Sequence, residues 1–331
     1  LKIHLHVGVH KTATSFMQAR LKGNHAKLNR AGIGFMPLFP FRNTYVKDLM
    51  KFDPASFRLE DRLEDFFPRG VPDNVRGIIM SDENLLGLCG TMLNSGKVYS
   101  GVRARLAQLR RLLAGHEITL FCAVRRYDAF LASAYCEGLR TNPRYINFED
   151  FSSRVNWKAI SWVTLLNKIE TGLRPEHIRY WRYEQFRPNA EMVLRELAFG
   201  EKLDQVESET GKPSNPSLSQ AAIDAIDSVS ERLGRQVAGR LVRAISATLP
   251  KSDGYPDFDP WGPMEKKRLG RRYDDDCLQI APEKWLLPPE ISAEAAQRAG
   301  APGAGPPGAG PPNEGATDAE AQRAAPRSDA A

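Results

Sequence analysis

Gly8, Lys11, Thr12, Thr14 and Ser15 have the types and spacing to bind an anion. They lie in the opening stretch LKIHLHVGVHKTATSFMQAR. Its apolar run Leu1–Val7 reads as a strand, Gly8-Val9-His10 as a tight turn, and the residues that follow as a helix. The first N–H groups of a helix have no helical acceptors, and the helix dipole favours negative charge there. Lys11 adds a full positive charge, and the hydroxyls of Thr12, Thr14 and Ser15 add donors. Only two residues separate Gly8 from Lys11, so the loop is not the G-x-x-x-x-G-K-[ST] of nucleotide triphosphatases. An ordinary capped strand-to-helix turn stays open as the alternative.

A second group lies in CAVRRYDAFLASAY, residues 122–135. An apolar strand delivers Arg125 and Arg126 to a helix start, with Ser133 further along that helix. Arginine suits phosphate because its planar fork donates in pairs and stays charged. Positive charge at a helix start opposes the dipole, and a bound phosphate would account for it. By helical spacing Arg126, seven residues before Ser133, shares its face. Pairing of the two arginines with Asp128 is the competing explanation. A third group, Met80-Ser81-Asp82-Glu83, follows another buried strand. In a parallel α/β sheet, ligands bind beyond the carboxyl ends of the strands. Glu83 there is either a base or a carboxylate capping a turn. His6 and His10 flank the first loop as rival bases. His6 alternates with Ile3, Leu5 and Val7, which favours a structural role. His10 is in the turn itself.

His6, Gly8, Lys11, Thr12, Ala13, Thr14, Ser15 and Gln18 resemble the 5′-phosphosulfate loop of sulfotransferases that use 3′-phosphoadenylyl sulfate (PAPS), H-x-G-x-x-K-T-G-T-T-x-x-Q. His10 and Gln18 make the bacterial carbohydrate-type branch the nearest. The resemblance implies that Gly8, Lys11, Thr12, Ala13, Thr14 and Ser15 hold the donor's 5′ end. It assigns the 3′-phosphate to Arg125 and Ser133, eight residues apart and followed by Tyr135, with Arg126 second. Glu83 fits the branch's S-x-E-N and would take the acceptor proton, with His10 as the other candidate. Tyr183, in HIRYWRYEQF, would approach the adenine, with Glu184 fixing the local turn. Lys212, Asn215 and Ser217 would close over the nucleotide, although a helix cap at Ser217 explains that serine without a ligand. The resemblance covers about residues 2–220, with two firm motifs and three loose ones. It departs at Ala13, where the family has glycine. Alanine is tolerated if that residue is helical and disfavoured if it needs positive φ.

Strands alternating with helices position these groups. Strands are expected at 33–36, 75–80, 117–124 and 177–183, and helices at 12–31 (bent near Gly23, closed by Gly32), 56–67, 99–114, 127–139, 148–155, 158–171, 190–199, 217–233, 236–249 and 263–276. Such alternation implies an α/β fold with a central parallel sheet covered by helices on both faces. The resemblance makes that sheet P-loop-like. The segments 37–72 and 140–160 are expected to shape an acceptor site.

The 331 residues divide into an α/β domain, 1–292, and a tail, 293–331, rich in Ala, Pro and Gly and read as disordered. The net charge is +6; the tail has three arginines against five carboxylates, leaving +8 on the domain. That excess suits an anionic ligand, and without a basic-aromatic array nucleic acid is a secondary reading. The four cysteines, Cys89, Cys122, Cys136 and Cys277, have neither C-x-x-C nor metal spacing and read as free thiols of a reducing compartment. With no transmembrane-length apolar run and no leader before the first strand, the expected location is cytoplasmic.

The expected activity is sulfuryl transfer from PAPS to a hydroxyl or amine of a small-molecule or carbohydrate acceptor, with Lys11 as the charge-neutralising group, Glu83 or His10 as base, and no metal. The alternatives are a P-loop small-molecule kinase and a non-catalytic nucleotide- or nucleic-acid-binding protein.

Overall fold

The computed structural model describes residues 1–46, 59–89, 96, 98–206, 217–252 and 254–291. Its centre is an all-parallel sheet of β1 (Lys2–His6), β2 (Ile33–Phe35), β3 (Gly77–Ser81), β4 (Glu117–Val124) and β5 (His177–Arg182), in the order β2-β3-β1-β4-β5. β1 lies between β3 and β4, with His6 opposite Ser81 on one side and Phe121 on the other. The loop after β1 therefore leaves the sheet at its middle.

Each strand buries both faces. Ile3, Leu5, Val7, Ile78, Met80, Leu120, Cys122 and Val124 join one core. Ile79, Phe121, Ala123 and Trp181 join a second core on the opposite face. This two-sided burial is why the strands read as nearly continuous apolar runs.

The helices before residue 160, among the described residues, are α1 (Thr14–Gly23), α2 (His25–Arg30), α3 (Leu38–Phe41), α4 (Val102–Leu112), α5 (Tyr127–Thr141) and α6 (Phe148–Ser153). They are followed by α7 (Trp162–Leu173), α8 (Tyr183–Phe186), α9 (Ala190–Leu197), α10 (Gln220–Leu233), α11 (Arg235–Thr248) and α12 (Pro263–Leu278). Residues of α1, α2 and α9 pack into the second core, and residues of α4, α5, α7 and α12 into the first. A third cluster fastens α10 and α11 to α5 through Tyr135, Cys136, Ile223, Ile226, Ala238 and Val242.

Several expected boundaries move for identifiable reasons. The helix expected over 12–31 is two helices, broken at Asn24. The Asn24 carboxamide donates to the carbonyls of Arg20 (2.9 Å) and Asp204 (2.8 Å) and accepts from Asp204 N (2.8 Å). A Cβ on Gly23 would stand 2.1 Å from Val206, so this turn passes too close to the 203–206 segment for a side chain. The amphipathic helix expected over 56–67 is a 3-10 segment, Glu60–Asp65, interrupted at Arg62; residues 56–58 lie outside the described residues. α4 begins at Val102 because Tyr99 takes φ 51. α7 begins after Ser161, whose hydroxyl accepts from Thr164 N, so residues 158–161 precede it. The cap of α10 is Ser219, whose hydroxyl accepts from Ala222 N (3.1 Å), and not Ser217. The 293–331 tail lies outside the described residues.

Candidate functional site

The loop between β1 and α1 is held from below by the sheet. Val7 N and Val9 N donate to the Phe121 and Ala123 carbonyls at 3.1 Å, extending the β1–β4 pairing beyond the strand. Gly8 has φ 100, and a Cβ there would meet Glu83 Cβ at 2.9 Å, so only glycine lets the loop lie against the end of β3. Thr12 is fully buried, and its hydroxyl donates to Val9 O (2.6 Å), which closes the turn. Lys11 (φ 65) and Ala13 (φ 67) are both left-handed. Ala13 therefore occupies the conformation that glycine adopts without cost, at about 1–3 kcal/mol for a residue with a Cβ.

This geometry leaves donors over. Among the described residues, the backbone N–H groups of residues 11–16 have no protein acceptor; the first N–H of α1 to find one is Met17, which donates to Ala13 O. Consecutive N–H groups in a left-handed turn form an anion-binding concavity. The Thr14 hydroxyl is buried and also unpartnered. Ser15 is exposed. Gln18 is used differently: its side-chain amide donates to Ser81 O (2.7 Å) and ties α1 to the end of β3.

The far wall of the loop is Arg125. Its Nη1 donates to Lys11 O (2.7 Å), and its guanidinium lies 4.6 Å from the centre of the Tyr183 ring. Its Nε is buried with no partner, and burial lowers its pKa. Tyr183 opens α8 at the end of β5, so the structure brings Arg125, Tyr183 and the loop together. Arg126 is turned elsewhere. Its guanidinium is paired with Asp128 (Nη2–Oδ2 3.1 Å), and its N–H donates to Glu184 Oε1 (2.9 Å). Between the two arginines, the geometry favours Arg125 over the choice helical spacing suggests. Glu184 also accepts from the Tyr273 hydroxyl (2.9 Å), which fixes the turn after β5.

On the other side stands Glu83. Its Oε1 accepts from Arg42 Nη2 (3.2 Å), and its Oε2 is buried without a donor. Burial raises its pKa most, and the adjacent Asp82 carboxylate adds to that, while Arg42 pulls the other way. Asp82 is fully buried and takes both forks of Arg42, at 2.8 Å each. Arg42 thus holds the carboxylate pair in place. No motif marked it, since it lies forty-one residues before Glu83, at the start of a π-helical turn after α3.

His10 is 3 % exposed. Its Nδ1 lies 2.6 Å from the Tyr99 hydroxyl, which also accepts from His10 N, and its Nε2 lies 3.1 Å from the Asn84 carboxamide. With its nitrogen toward His10, that carboxamide has its oxygen toward Arg42 Nε at 3.1 Å. Burial holds the imidazole pKa down to about 4. A neutral ring with both nitrogens engaged is a strut of the turn, and Glu83 is the candidate base with a free oxygen. His6 is likewise structural, fully buried with Nδ1 2.9 Å from Ser81 Oγ.

Lys11 Nζ donates to Glu137 Oε2 (3.2 Å), and Arg140 approaches the same oxygen at 3.5 Å. Glu137 was unmarked by any motif. Ser133 is buried one helical turn before Glu137, on the face of α5 that meets the loop. Ser217 lies near the Cys136 thiol on α5. Lys212 and Asn215 lie outside the described residues. Cys122, Cys136 and Cys277 are buried free thiols, Cys89 is a half-buried one, and no helix among the described residues is long and apolar enough to cross a membrane. No protein-family model, curated protein or solved structure matches the chain.

Proposed function

We propose that this chain is a PAPS-dependent sulfotransferase with a P-loop-like α/β fold. The observation that carries the reading is the run of six unpartnered N–H groups at residues 11–16, flanked by Lys11, the orphaned Thr14 hydroxyl and the orphaned Arg125 Nε. The donor set fits an anion with two charged ends. Residues 11–16 would hold the 5′-phosphosulfate; Arg125, with Ser133 behind it, would hold the 3′-phosphate; and Tyr183 would flank the base. Bound there, PAPS supplies a sulfuryl group for in-line displacement by an acceptor hydroxyl.

The chain's own residues do the rest. The N–H groups are fixed by the fold before any ligand arrives, so they stabilise developing negative charge without reorganising. Lys11 neutralises charge on the departing phosphate oxygen. Arg125 keeps the nucleotide in register with the loop. Glu83 Oε2 accepts the acceptor proton, and Arg42 keeps that carboxyl aimed past Gly8.

Isothermal titration with 3′,5′-adenosine bisphosphate and with ATP–Mg tests the reading. Metal-independent binding of the bisphosphate, lost in Lys11→Ala, is expected. A preference for ATP–Mg would replace it with a kinase or nucleotide sensor.

A further inference from the structure

The two ends of one carboxamide decide which nitrogen of His10 carries the proton. One end of Asn84 lies 3.1 Å from His10 Nε2, and the other lies 3.1 Å from Arg42 Nε and 3.2 Å from Arg42 Nη2. A guanidinium has donors only and stays protonated, so the end that faces Arg42 is the oxygen. The end that faces His10 is then the NH2 group, which donates. Nε2 therefore accepts, and the single proton of the neutral ring is on Nδ1. That Nδ1–H donates to the Tyr99 hydroxyl oxygen at 2.6 Å, which also accepts from His10 N at 3.0 Å. The opposite tautomer would set Nε2–H against the NH2 group, or turn the NH2 group onto Arg42; either arrangement puts donor against donor. Burial keeps the ring neutral, with Arg42, Lys11 and Glu137 as the charges near it.

The same edge of Arg42 continues the chain of hydrogen bonds. Its Nε and Nη2 donate to the two oxygens of Asp82 at 2.8 Å each, and Nη2 also reaches Glu83 Oε1 at 3.2 Å. Residues 82, 83 and 84 thus all present oxygen to one guanidinium edge. Bracing the turn needs only His10 and Tyr99; nothing in it requires Nε2 to meet the residue next to Glu83. We propose that His10 and Asn84 are positioning residues for Glu83: the loop imidazole, fixed as its Nδ1–H tautomer, sets the Asn84 carboxamide, which holds the Arg42 guanidinium on the Glu83 carboxyl. The anion loop and the candidate base are then joined by side chains as well as by the close approach of Gly8 to Glu83. The kinetic consequence rests on the sulfotransferase reading; the tautomer of His10 and the titration of Glu83 do not.

The test uses the full chain. Site-assigned 15N NMR of the wild type at neutral pH should show His10 protonated at Nδ1 and bare at Nε2. Asn84→Asp puts an oxygen at both ends of the side chain, so His10 should carry its proton on Nε2 in that variant. The charged or titratable groups around Glu83 are Asp82, Arg42, Cys89 and Tyr99, and of these Arg42 favours its ionised form. Asn84→Leu, and His10→Asn, whose shorter side chain keeps the Tyr99 contact and loses Asn84, should both loosen Arg42. The Glu83 carboxyl, followed by 13C NMR, should then titrate at higher pH than in the wild type. In the same two variants kcat with PAPS should fall about tenfold, the loss of one hydrogen bond, with the KM for PAPS unchanged. His10→Gln, whose side-chain oxygen can stand in for Nε2, should retain most of kcat. An Nε2–H tautomer in the wild type, or a Glu83 titration identical in the wild type, Asn84→Leu and His10→Asn, would overturn the proposal. Absence of turnover from the wild type would remove the sulfotransferase reading, while the tautomer and the Glu83 titration would still decide the positioning chain.

Discussion

Lys11 Nζ donates to Glu137 Oε2 across 3.2 Å, so the cation of the loop is tied to α5. The pair is partly shielded, with side chains 18 % and 23 % exposed. It competes with any anion that Lys11 would bind. Glu137→Gln removes the competitor and keeps the shape. It should tighten 3′,5′-adenosine bisphosphate binding by up to about fivefold, the equivalent of roughly 1 kcal/mol for such a pair. Lys11→Ala should abolish both that gain and turnover. Titration calorimetry on the single and double variants reads the coupling; a Glu137→Gln protein with weaker binding would show that the pair organises the loop instead.

Glu83→Gln should lower kcat by about 10²–10⁴ while leaving bisphosphate binding unchanged. Burial holds the Glu83 carboxyl above the ordinary carboxylate range. A base works when deprotonated, so the wild-type rate should climb with pH through a limb above the ordinary value of 4.5 and then level. The glutamine variant should lack that limb. An unaltered pH–rate profile would remove Glu83 from the mechanism.

Ala13→Gly tests the one residue of the cradle that departs from the sulfotransferase pattern. Since Ala13 is left-handed, glycine relieves a steric cost and should raise Tm by about 2 °C, for a gain of about 1 kcal/mol. Because the N–H groups on either side keep their positions, bisphosphate affinity should hold or rise. A scanning calorimetry trace with a lowered Tm would contradict the left-handed assignment.

The histidines around β1 predict acid sensitivity. Burial lowers His4 to about 4, His6 to about 3 and His10 to about 4, from 6.5. Between about pH 6.5 and 4 the unfolded chain binds protons at these positions and the folded chain does not. Stability therefore falls as pH falls through that window, by up to about 1.4 kcal/mol per pH unit for each such histidine. Urea unfolding at pH 7.5 and 5 should show the loss, and equal midpoints would refute it.

The strands, the parallel α/β class and the strand–glycine turn–helix course of GVHKTATS were all legible in the chain. β4 matches its expected bounds because an eight-residue apolar run, EITLFCAV, has no other way to be buried. The resemblance put Arg125 before Arg126 while helical spacing alone pointed to Arg126, because periodicity says nothing about which of the two side chains an Asp128 carboxylate captures. The backbone of Ala13 was not legible, since nothing in a sequence states the sign of φ at a non-glycine residue. His10 looked like a reactive group and is a strut, because Tyr99 arrives from the far end of an eighty-nine-residue separation.

The sequence by itself determined that a strand would run into a glycine turn with Lys11 and three hydroxyls at a helix start, because those propensities are local. Only the tertiary structure decided what surrounds it. Glu83, Arg125 and Glu137 reach the loop from three separate segments, and Arg42 braces Glu83 from a fourth. Glu83 and Arg125 meet there because a parallel sheet with β1 between β3 and β4 puts the carboxyl ends of those strands on one edge, Glu137 because α5 packs along the loop, and local sequence carries no record of that convergence.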